Sequence, residues 1–145
     1  MRLLILDLDG TLWDHEDASR LTPPYEFYDD YLVDAYGEEL HLFPGVRDFL
    51  DWASERFLLS IASWNVEGGK VRPILEGFGL WDYFLFPKIE GHPPNKADMI
   101  RRTIEELESI GYTIDDVIYV DDRAIHVDKI KQELPDVDFI HMWLM

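Results

Sequence analysis

The chain has 145 residues, no cysteine, and a formal net charge of −17 from 13 basic and 30 acidic side chains. This length predicts a single domain, residues 1–145, with a sizeable core. The absence of cysteine excludes disulfides, thiolate zinc sites and cysteine nucleophiles. The excess of acid argues against nucleic acid or an anionic membrane as a partner. No stretch has the form of a signal peptide or a membrane span, so we expect a cytoplasmic location.

Strand and helix patterns alternate along the chain. Short apolar runs predict strands, and apolar residues at helical spacing predict helices between them. In chain order these are strand 2–6, helix 46–56, strand 57–62, helix 68–78, strand 83–86, helix 97–110, strand 117–120, helix 123–134 and strand 137–142. Such alternation implies crossover connections, so we expect an α/β fold: a three-layer Rossmann-like parallel sheet with helices on both faces.

The segment 26–39 combines acidic residues with aromatic ones and has two interpretations. We favour a solvated helical or loop face whose aromatic side chains turn inward. The alternative is a surface that binds cations or a partner, but a charge run alone rarely indicates that much.

The polar residues that directly follow the apolar runs are the candidates for chemistry. Asp7, Ser63 and the pair Asp121-Asp122 each follow a predicted strand. In parallel sheets, ligands bind beyond the carboxyl ends of the strands. Asp7 and Asp9 share one face of an extended segment, so both carboxylates can act on one group, one as a nucleophile and the other as a proton shuttle. The pattern indicates an enzyme site rather than a solubilising loop.

The stretch Asp7-Leu8-Asp9-Gly10-Thr11 resembles the first motif of the haloacid dehalogenase-like (HAD) superfamily. Ser63, Lys96 and the Asp121-Asp122 pair follow in the order typical of that superfamily. The chain is most similar to its short, capless, magnesium-dependent phosphatases, a likeness that covers nearly the whole sequence and extends to Leu12-Trp13, Leu42-Phe43-Pro44-Gly45-Val46, Ala62-Ser63 and Asp121-Asp122-Arg123.

This resemblance implies a set of residue roles. Asp7 would form an aspartyl-phosphate, and Asp9 would protonate the leaving group and then activate water. Ser63 would bind the phosphoryl oxygens, and Lys96 would hold both the nucleophile and the phosphate. Mg²⁺ would be the cofactor, with Asp7, the backbone carbonyl of Asp9, and Asp122 as ligands.

The physical chemistry of phosphoryl transfer agrees with these roles. Mg²⁺ takes one or two carboxylates together with water and substrate oxygens, and it offsets the repulsion between a carboxylate nucleophile and an anionic phosphate. Asp121 and Asp122 are adjacent, so in an extended chain they point to opposite faces. We therefore favour Asp122 as the direct metal ligand, with Asp121 acting through water or orienting Lys96.

Two of these assignments have an alternative residue in the sequence. Lys88 is the fallback for Lys96, which is preferred because it opens the predicted 97–110 helix. Ser60 is the rival of Ser63, which is preferred because it ends the predicted strand instead of lying inside it.

Four further residues stand beside the motif residues. They are compatible either with lining the substrate entrance or with ordinary packing: Trp13, Trp64, Asn65 and Arg123. Trp64, Asn65 and Arg123 are also candidates for contacting phosphate.

The spacing of the motifs bears on substrate access. Only residues 14–42 are not needed for the predicted strands, helices and motifs, and this stretch is too short for a large helical cap. We therefore expect an open site, with the stretch 25–36 as a hypothetical partial flap over it. The resemblance implies phosphotyrosine, phosphoproteins or small sugar phosphates as substrates.

Three other functions compete with a phosphatase. A phospho-acceptor receiver module carries its acidic pair early and its acceptor Asp mid-chain, the reverse of the order here. A silent binding protein is disfavoured because all motif residues are present. A mutase would use the same Asp7 chemistry, but the resemblance implies that it needs a cap.

Overall fold

The apolar run that precedes Asp7 forms the central strand of a parallel sheet. A computed structural model of the chain describes residues 1–91, 95–121 and 132–134, and the backbone of 137–141. Its elements are, in chain order, β1 (Arg2–Leu6), β2 (Glu26–Phe27), β3 (Tyr31–Val33), β4 (Glu39–His41), α1 (Val46–Ser54), β5 (Leu58–Trp64), α2 (Val71–Gly77), β6 (Lys88–Glu90), α3 (Lys96–Ser109), β7 (Asp116–Asp121) and β8 (Val137–His141).

The main sheet has the strand order β6-β5-β1-β7-β8, and every neighbouring pair is parallel. Leu4 of β1 lies opposite Leu59 on one side and Ile118 on the other. Since β1 lies in the middle of the sheet, its carboxyl end is flanked by those of β5 and β7.

Both faces of β1 are buried, which explains its uninterrupted apolar sequence. Leu4 and Leu6 belong to a core cluster that includes residues of α1 and α2. Leu3 and Ile5 belong to a second cluster that includes residues of α3. The helices therefore cover both faces of the sheet, and the expected three-layer α/β fold is confirmed.

The predicted strand over 83–86 is wrong. Trp81–Tyr83 forms a 3₁₀ turn, and Phe86 takes a positive φ of 48° that breaks an extended backbone. The edge strand comes later, at β6. It holds the charged Lys88, whose ammonium group reaches Glu106 of α3 at 2.8 Å.

Other element boundaries shift by a few residues. β5 continues to Trp64, because its last residues pair with β6, so Ser63 lies within this strand and does not end it. The predicted helix over 68–78 is a 3₁₀ turn at Gly68–Lys70 followed by α2. The predicted helix over 123–134 lies almost entirely outside the described residues.

The acidic aromatic segment forms a small antiparallel sheet, β2-β3-β4, and not the helical or loop face that we expected. Phe27 turns inward and packs edge-on against Phe78 with ring centroids 5.2 Å apart. Tyr31 stacks between Tyr28 and His41, and Tyr36 is exposed. Only part of the aromatic set therefore faces the core.

Within the described part of the chain, no helix combines the length and the apolar character that crossing a membrane requires. No inserted cap domain is present among the same residues, because the stretch 14–42 holds only a 3₁₀ turn and the small sheet.

Candidate active site

The predicted site residues converge at the carboxyl ends of three neighbouring strands. Asp7 follows β1 directly, and its backbone N–H donates to the carbonyl of Val120 in β7. Ser63 lies near the end of β5, and Asp121 is the last residue of β7. Lys96 reaches the same place from the first residue of α3. The parallel topology thus brings together residues that lie far apart in the sequence.

Lys96 pairs with Asp7 deep in the structure. Its ammonium nitrogen Nζ lies 3.0 Å from Asp7 Oδ1, and the side chain is 3% exposed. Nζ also donates to the carbonyl of Ala62 at 2.8 Å and to the hydroxyl of Tyr119 at 2.9 Å. These three contacts use all three ammonium hydrogens. Lys88, the fallback, is bound to Glu106 and to the carbonyl of Phe86 instead.

Asp7 stands among excess negative charge. Burial raises the pKa of Asp7 to about 7, and the nearby carboxylates of Asp121 and Asp9 add to this, while Lys96 opposes it. One lysine therefore does not neutralise the cluster, and a further cation would stabilise the ionised form.

Asp121 faces Lys96 and Tyr119. Its Oδ2 accepts from the Tyr119 hydroxyl at 2.7 Å and lies 3.7 Å from Lys96 Nζ. These contacts suit the predicted role of Asp121 in orienting Lys96 better than direct ligation of a metal. Asp122 and Arg123 lie outside the described residues, so their metal and phosphate roles stay predictions.

Asp9 is held by three N–H donors. Trp13 Nε1 at 2.7 Å and the backbone N–H of Ala18 at 3.0 Å both donate to Oδ1, and Asn65 Nδ2 donates to Oδ2 at 2.8 Å. Burial raises the pKa of Asp9 to about 6, although these hydrogen bonds oppose the rise. A carboxyl group with a raised pKa is suited to general acid catalysis near neutral pH.

Asn65 has a different role from the one that its position in the sequence indicated. It is buried, and Nδ2 donates to Asp17 as well as to Asp9, so both amide hydrogens point to carboxylates. Asn65 Oδ1 accepts from Ser63 Oγ at 2.9 Å. The predicted contact between Asn65 and phosphate is therefore replaced by contacts within the protein.

Ser63 and its rival Ser60 occupy different surroundings. The Ser63 hydroxyl donates to Asn65, so binding a phosphoryl oxygen requires this hydroxyl to turn. Ser60 Oγ lies farther back along β5 and donates to the carbonyl of Phe86 at 3.3 Å. Ser63 thus stays the better prediction for a phosphate contact.

The two tryptophans beside the motifs also differ. Trp13 is fully buried, so the alternative in which it lines the substrate entrance is wrong. Its indole N–H serves Asp9 instead. Trp64 is partly exposed, and its ring centroid lies 5.6 Å from Lys96 Nζ, so a place at the entrance remains open to it.

Asp17 is a residue that the sequence reasoning missed. It lies in the loop after β1 and is 7% exposed. Burial raises its pKa, but hydrogen bonds from Ser19, Asn65 and Val66 outweigh this, and the pKa is lowered. No sequence signal marked it, because it is one acid among many in an acid-rich stretch.

The donors at this site fit Mg²⁺. The Asp7 carboxylate and the Asp9 carbonyl are oxygen ligands of the kind Mg²⁺ prefers, and the raised pKa of Asp7 marks the charge that it would offset. Among the residues that the structure describes, no group of three His, Asp or Glu side chains forms a metal site. A third protein ligand would thus come from elsewhere, as predicted for the Asp122 side chain.

A parallel sheet with Asp-x-Asp-Gly-Thr directly after its central strand is the arrangement expected of a HAD-like phosphatase. The sequence model of the Acid Phosphatase family matches residues 1–144, and the chain belongs to that family. Membership of the HAD superfamily and the expected enzyme class, a phosphatase hydrolase, are thereby confirmed.

Solved structures share this fold at low sequence identity. The N-terminal part of a Bacteroides fragilis protein, containing a phosphatase domain complexed with Mg, matches 98% of this chain with 19% identity and a TM-score of 0.61. This chain spans only 36% of that protein chain.

Two other similar structures have lengths closer to that of this chain. A HAD-like hydrolase from Streptococcus pneumoniae (17% identity) and a phosphatase from Clostridium difficile (19%) both have a TM-score of 0.62, with 97% of this chain and 84% of theirs covered. No curated protein matches this sequence.

Proposed function

We propose that the protein hydrolyses phosphate monoesters in an Mg²⁺-dependent reaction through an aspartyl-phosphate on Asp7. The observation that carries this proposal is the buried contact between Asp7 Oδ1 and Lys96 Nζ, 3.0 Å, beside a carboxyl group with a raised pKa. A nucleophile, a fixed positive charge and a general acid are the parts that such a reaction needs.

In the first step, an Asp7 carboxylate oxygen attacks phosphorus while the bond from phosphorus to the ester oxygen breaks. Asp9 gives its proton to that departing oxygen. In the second step, Asp9 takes a proton from water as the water oxygen attacks phosphorus, which releases phosphate and restores the Asp7 carboxylate. Lys96 orients Asp7 and favours its ionised form before the attack.

Mg²⁺, when bound, neutralises charge on the phosphate and on the nucleophile. Asp7, the Asp9 carbonyl, and Asp122 would hold it. The Mg complex of the Bacteroides fragilis structure supports this choice of metal. The surplus of acid around Asp7 supports it independently.

The proposal extends to substrates and surroundings. Without a cap in the described part of the chain, the site admits phosphotyrosine, phosphoproteins or small sugar phosphates. The acidic protein is predicted to act in the cytoplasm on such partners, as one domain, without nucleic acid or membrane. A panel of phosphate esters tests the substrate class.

The deciding experiment measures p-nitrophenyl phosphate hydrolysis with Mg²⁺ and with a chelator, in the wild type and in Asp7→Asn. We expect turnover only with Mg²⁺ and only with Asp7 intact. Asp82→Asn, a change at an exposed carboxylate, is the control and should behave like the wild type. Metal-independent turnover, or full activity of Asp7→Asn, contradicts the mechanism. Stoichiometric phosphorylation without turnover would instead indicate a phospho-acceptor module.

A further inference from the structure

We infer that Asp17 and Asn65 are positioning residues that hold Asp9 in the orientation from which it protonates the leaving group. This inference rests on the proposed role of Asp9 as the general acid. It concerns two residues from different loops, one after β1 and one after β5, and assigns both a role in the reaction without contact to the substrate.

The hydrogen bonds to Asp9 leave one oxygen for the catalytic proton. Asp9 Oδ1 already accepts from Trp13 and Ala18, whereas Oδ2 accepts only from Asn65 among the described residues. With one donor instead of two, Oδ2 is the less occupied of the two oxygens and is the one on which the catalytic proton is expected. Asn65 fixes the direction in which that oxygen points.

Through its own hydrogen bonds, Asp17 positions two of the three groups that donate to Asp9. Its Oδ1 accepts from Asn65 Nδ2 at 2.8 Å, which fixes the amide that serves Asp9. The same Oδ1 accepts from the backbone N–H of Ser19 at 3.0 Å and caps the 3₁₀ turn at Ala18–Arg20. That cap places the Ala18 N–H on Asp9 Oδ1. One carboxylate thus organises contacts to both oxygens of Asp9.

The same group ties the two loops together. Asp17 Oδ2 accepts from the backbone N–H of Val66 at 3.3 Å. Ser19 Oγ donates to Asp17 Oδ1 at 2.6 Å and accepts from the N–H of Glu67 at 3.1 Å. An Asp accepting this many donors in a buried place holds one geometry, and preorganised groups of this kind support proton transfer.

The orientation of Asp9 matters most when the leaving group is poor. An alkyl phosphate needs its departing oxygen protonated, whereas p-nitrophenolate departs readily without a proton. Misplacing Asp9 therefore slows the first step for alkyl esters far more than for the activated aryl ester. The parameter kcat/KM reports this step, and damage to folding or to phosphate binding would lower it equally for both esters.

The experiment compares kcat/KM for p-nitrophenyl phosphate and for glycerol 2-phosphate with Mg²⁺ present. In Asp17→Ala and Asn65→Leu, we expect the value for the alkyl ester to fall at least about tenfold more than the value for the aryl ester. Asp17→Asn keeps an oxygen for Ser19 and Asn65 and should restore most of the alkyl activity. Asn65→Leu keeps the branched shape of the side chain and leaves Asp17 in place, so it covers the case in which Asp17→Ala fails to fold.

Asp34→Ala is the matched control. Asp34 is also a carboxylate with 7% exposure that orders a turn, accepting from the N–H groups of Thr22, Tyr36 and Glu38. It makes none of these contacts with Asp9 or its donors. We expect this variant to melt earlier and to keep the wild-type ratio of the two kcat/KM values.

The reference variant Asp9→Asn separates the two possible failures. If Asp9→Asn loses alkyl activity selectively but Asp17→Ala and Asn65→Leu lower both esters equally, the positioning role is wrong and the proposed function stands. If Asp9→Asn itself lowers both esters equally, the general acid role and the positioning role fall together. A changed ratio of the two kcat/KM values in Asp34→Ala would also overturn the inference, because a general loss of stability would then explain the effect.

Discussion

At the scale of single residues, the most constrained group is the ammonium of Lys96. Its three hydrogens are committed to Asp7, Ala62 and Tyr119. A direct bond from Lys96 to phosphate therefore requires one of these contacts to open. Its main contribution is a fixed charge beside the nucleophile, and Tyr119 decides where that charge lies.

Tyr119→Phe removes the acceptor for Lys96 and the donor to Asp121. We expect kcat to fall at least about tenfold, since the hydrogen bond that holds the Lys96 ammonium beside Asp7 is alone worth roughly 1.5 kcal/mol. Steady-state kinetics on p-nitrophenyl phosphate measure this. Tyr112→Phe removes a hydroxyl from a tyrosine that is 36% exposed and should change nothing. Equal effects of the two substitutions would argue against a role for Tyr119.

Asp34 gives a prediction about pH and stability. Burial raises its pKa, but hydrogen bonds from Thr22, Glu38 and Tyr36, with His15 nearby, outweigh this and hold it below 3.8. A lowered pKa stabilises the fold above the unfolded value, and this stability is lost as the pH falls through the folded value. Asp34→Asn should therefore melt below the wild type at pH 7, and the difference should shrink below about pH 4. Thermal melts across pH measure this, and a constant difference contradicts it.

The sequence predicts the roles of some of these site residues but not of others. Asp7 and Lys96 were predictable because each stands at the end of a pattern, a buried strand or the start of a helix. The role of Asn65 was not, because its partners Asp9 and Asp17 lie 56 and 48 positions away. A contact of that kind depends on how two loops meet, and local periodicity carries no information about it.

At the scale of elements, the long and regular ones were predictable and the short ones were not. Helix α3 has enough residues for a clear helical period, and strand β1 stands out as an uninterrupted apolar run. Strands β2, β3 and β4 have two or three residues each, too few for alternation to show. The run over 83–86 is apolar because it packs against the core, and burial alone does not make a strand.

The 3₁₀ turn at Gly68–Lys70 supports the loop that carries Asn65. A Cβ atom at Gly68 would collide with the carbonyl oxygen of Ile89 in β6, whereas one at Gly69 meets open space. We expect Gly68→Ala to lower the melting temperature and kcat, since backbone must shift. Gly69→Ala should be neutral or stabilising by about 0.4–1 kcal/mol. Similar melting curves and rates for both variants would contradict the close packing of the turn on β6.

At the scale of the whole molecule, the net charge of −17 is the main electrostatic feature. Like charges on a compact surface repel one another and favour the unfolded chain. The fold therefore depends on its large two-sided core and gains little from its exposed ion pairs, such as Arg72–Glu76.

Salt should stabilise this protein. Raising NaCl from about 10 mM to about 150 mM shortens the screening length from about 30 Å to about 8 Å and weakens the repulsion. We expect the melting temperature to rise, measured with a chelator present so that metal binding does not contribute. A melting temperature that falls with salt would show that exposed ion pairs outweigh the repulsion.

The strand order also has a consequence for synthesis on the ribosome. Strand β1 is made well before its two neighbours, β5 and β7, which begin at Leu58 and Asp116. A nascent chain that stops short of Asp116 leaves one edge of the most apolar strand unpaired, and such edges invite aggregation. The nucleophile Asp7 gains Lys96, Tyr119 and Asp121 only after the stretch up to Asp121 has been made. Translation products that stop before Asp121 should therefore be inactive and prone to aggregate.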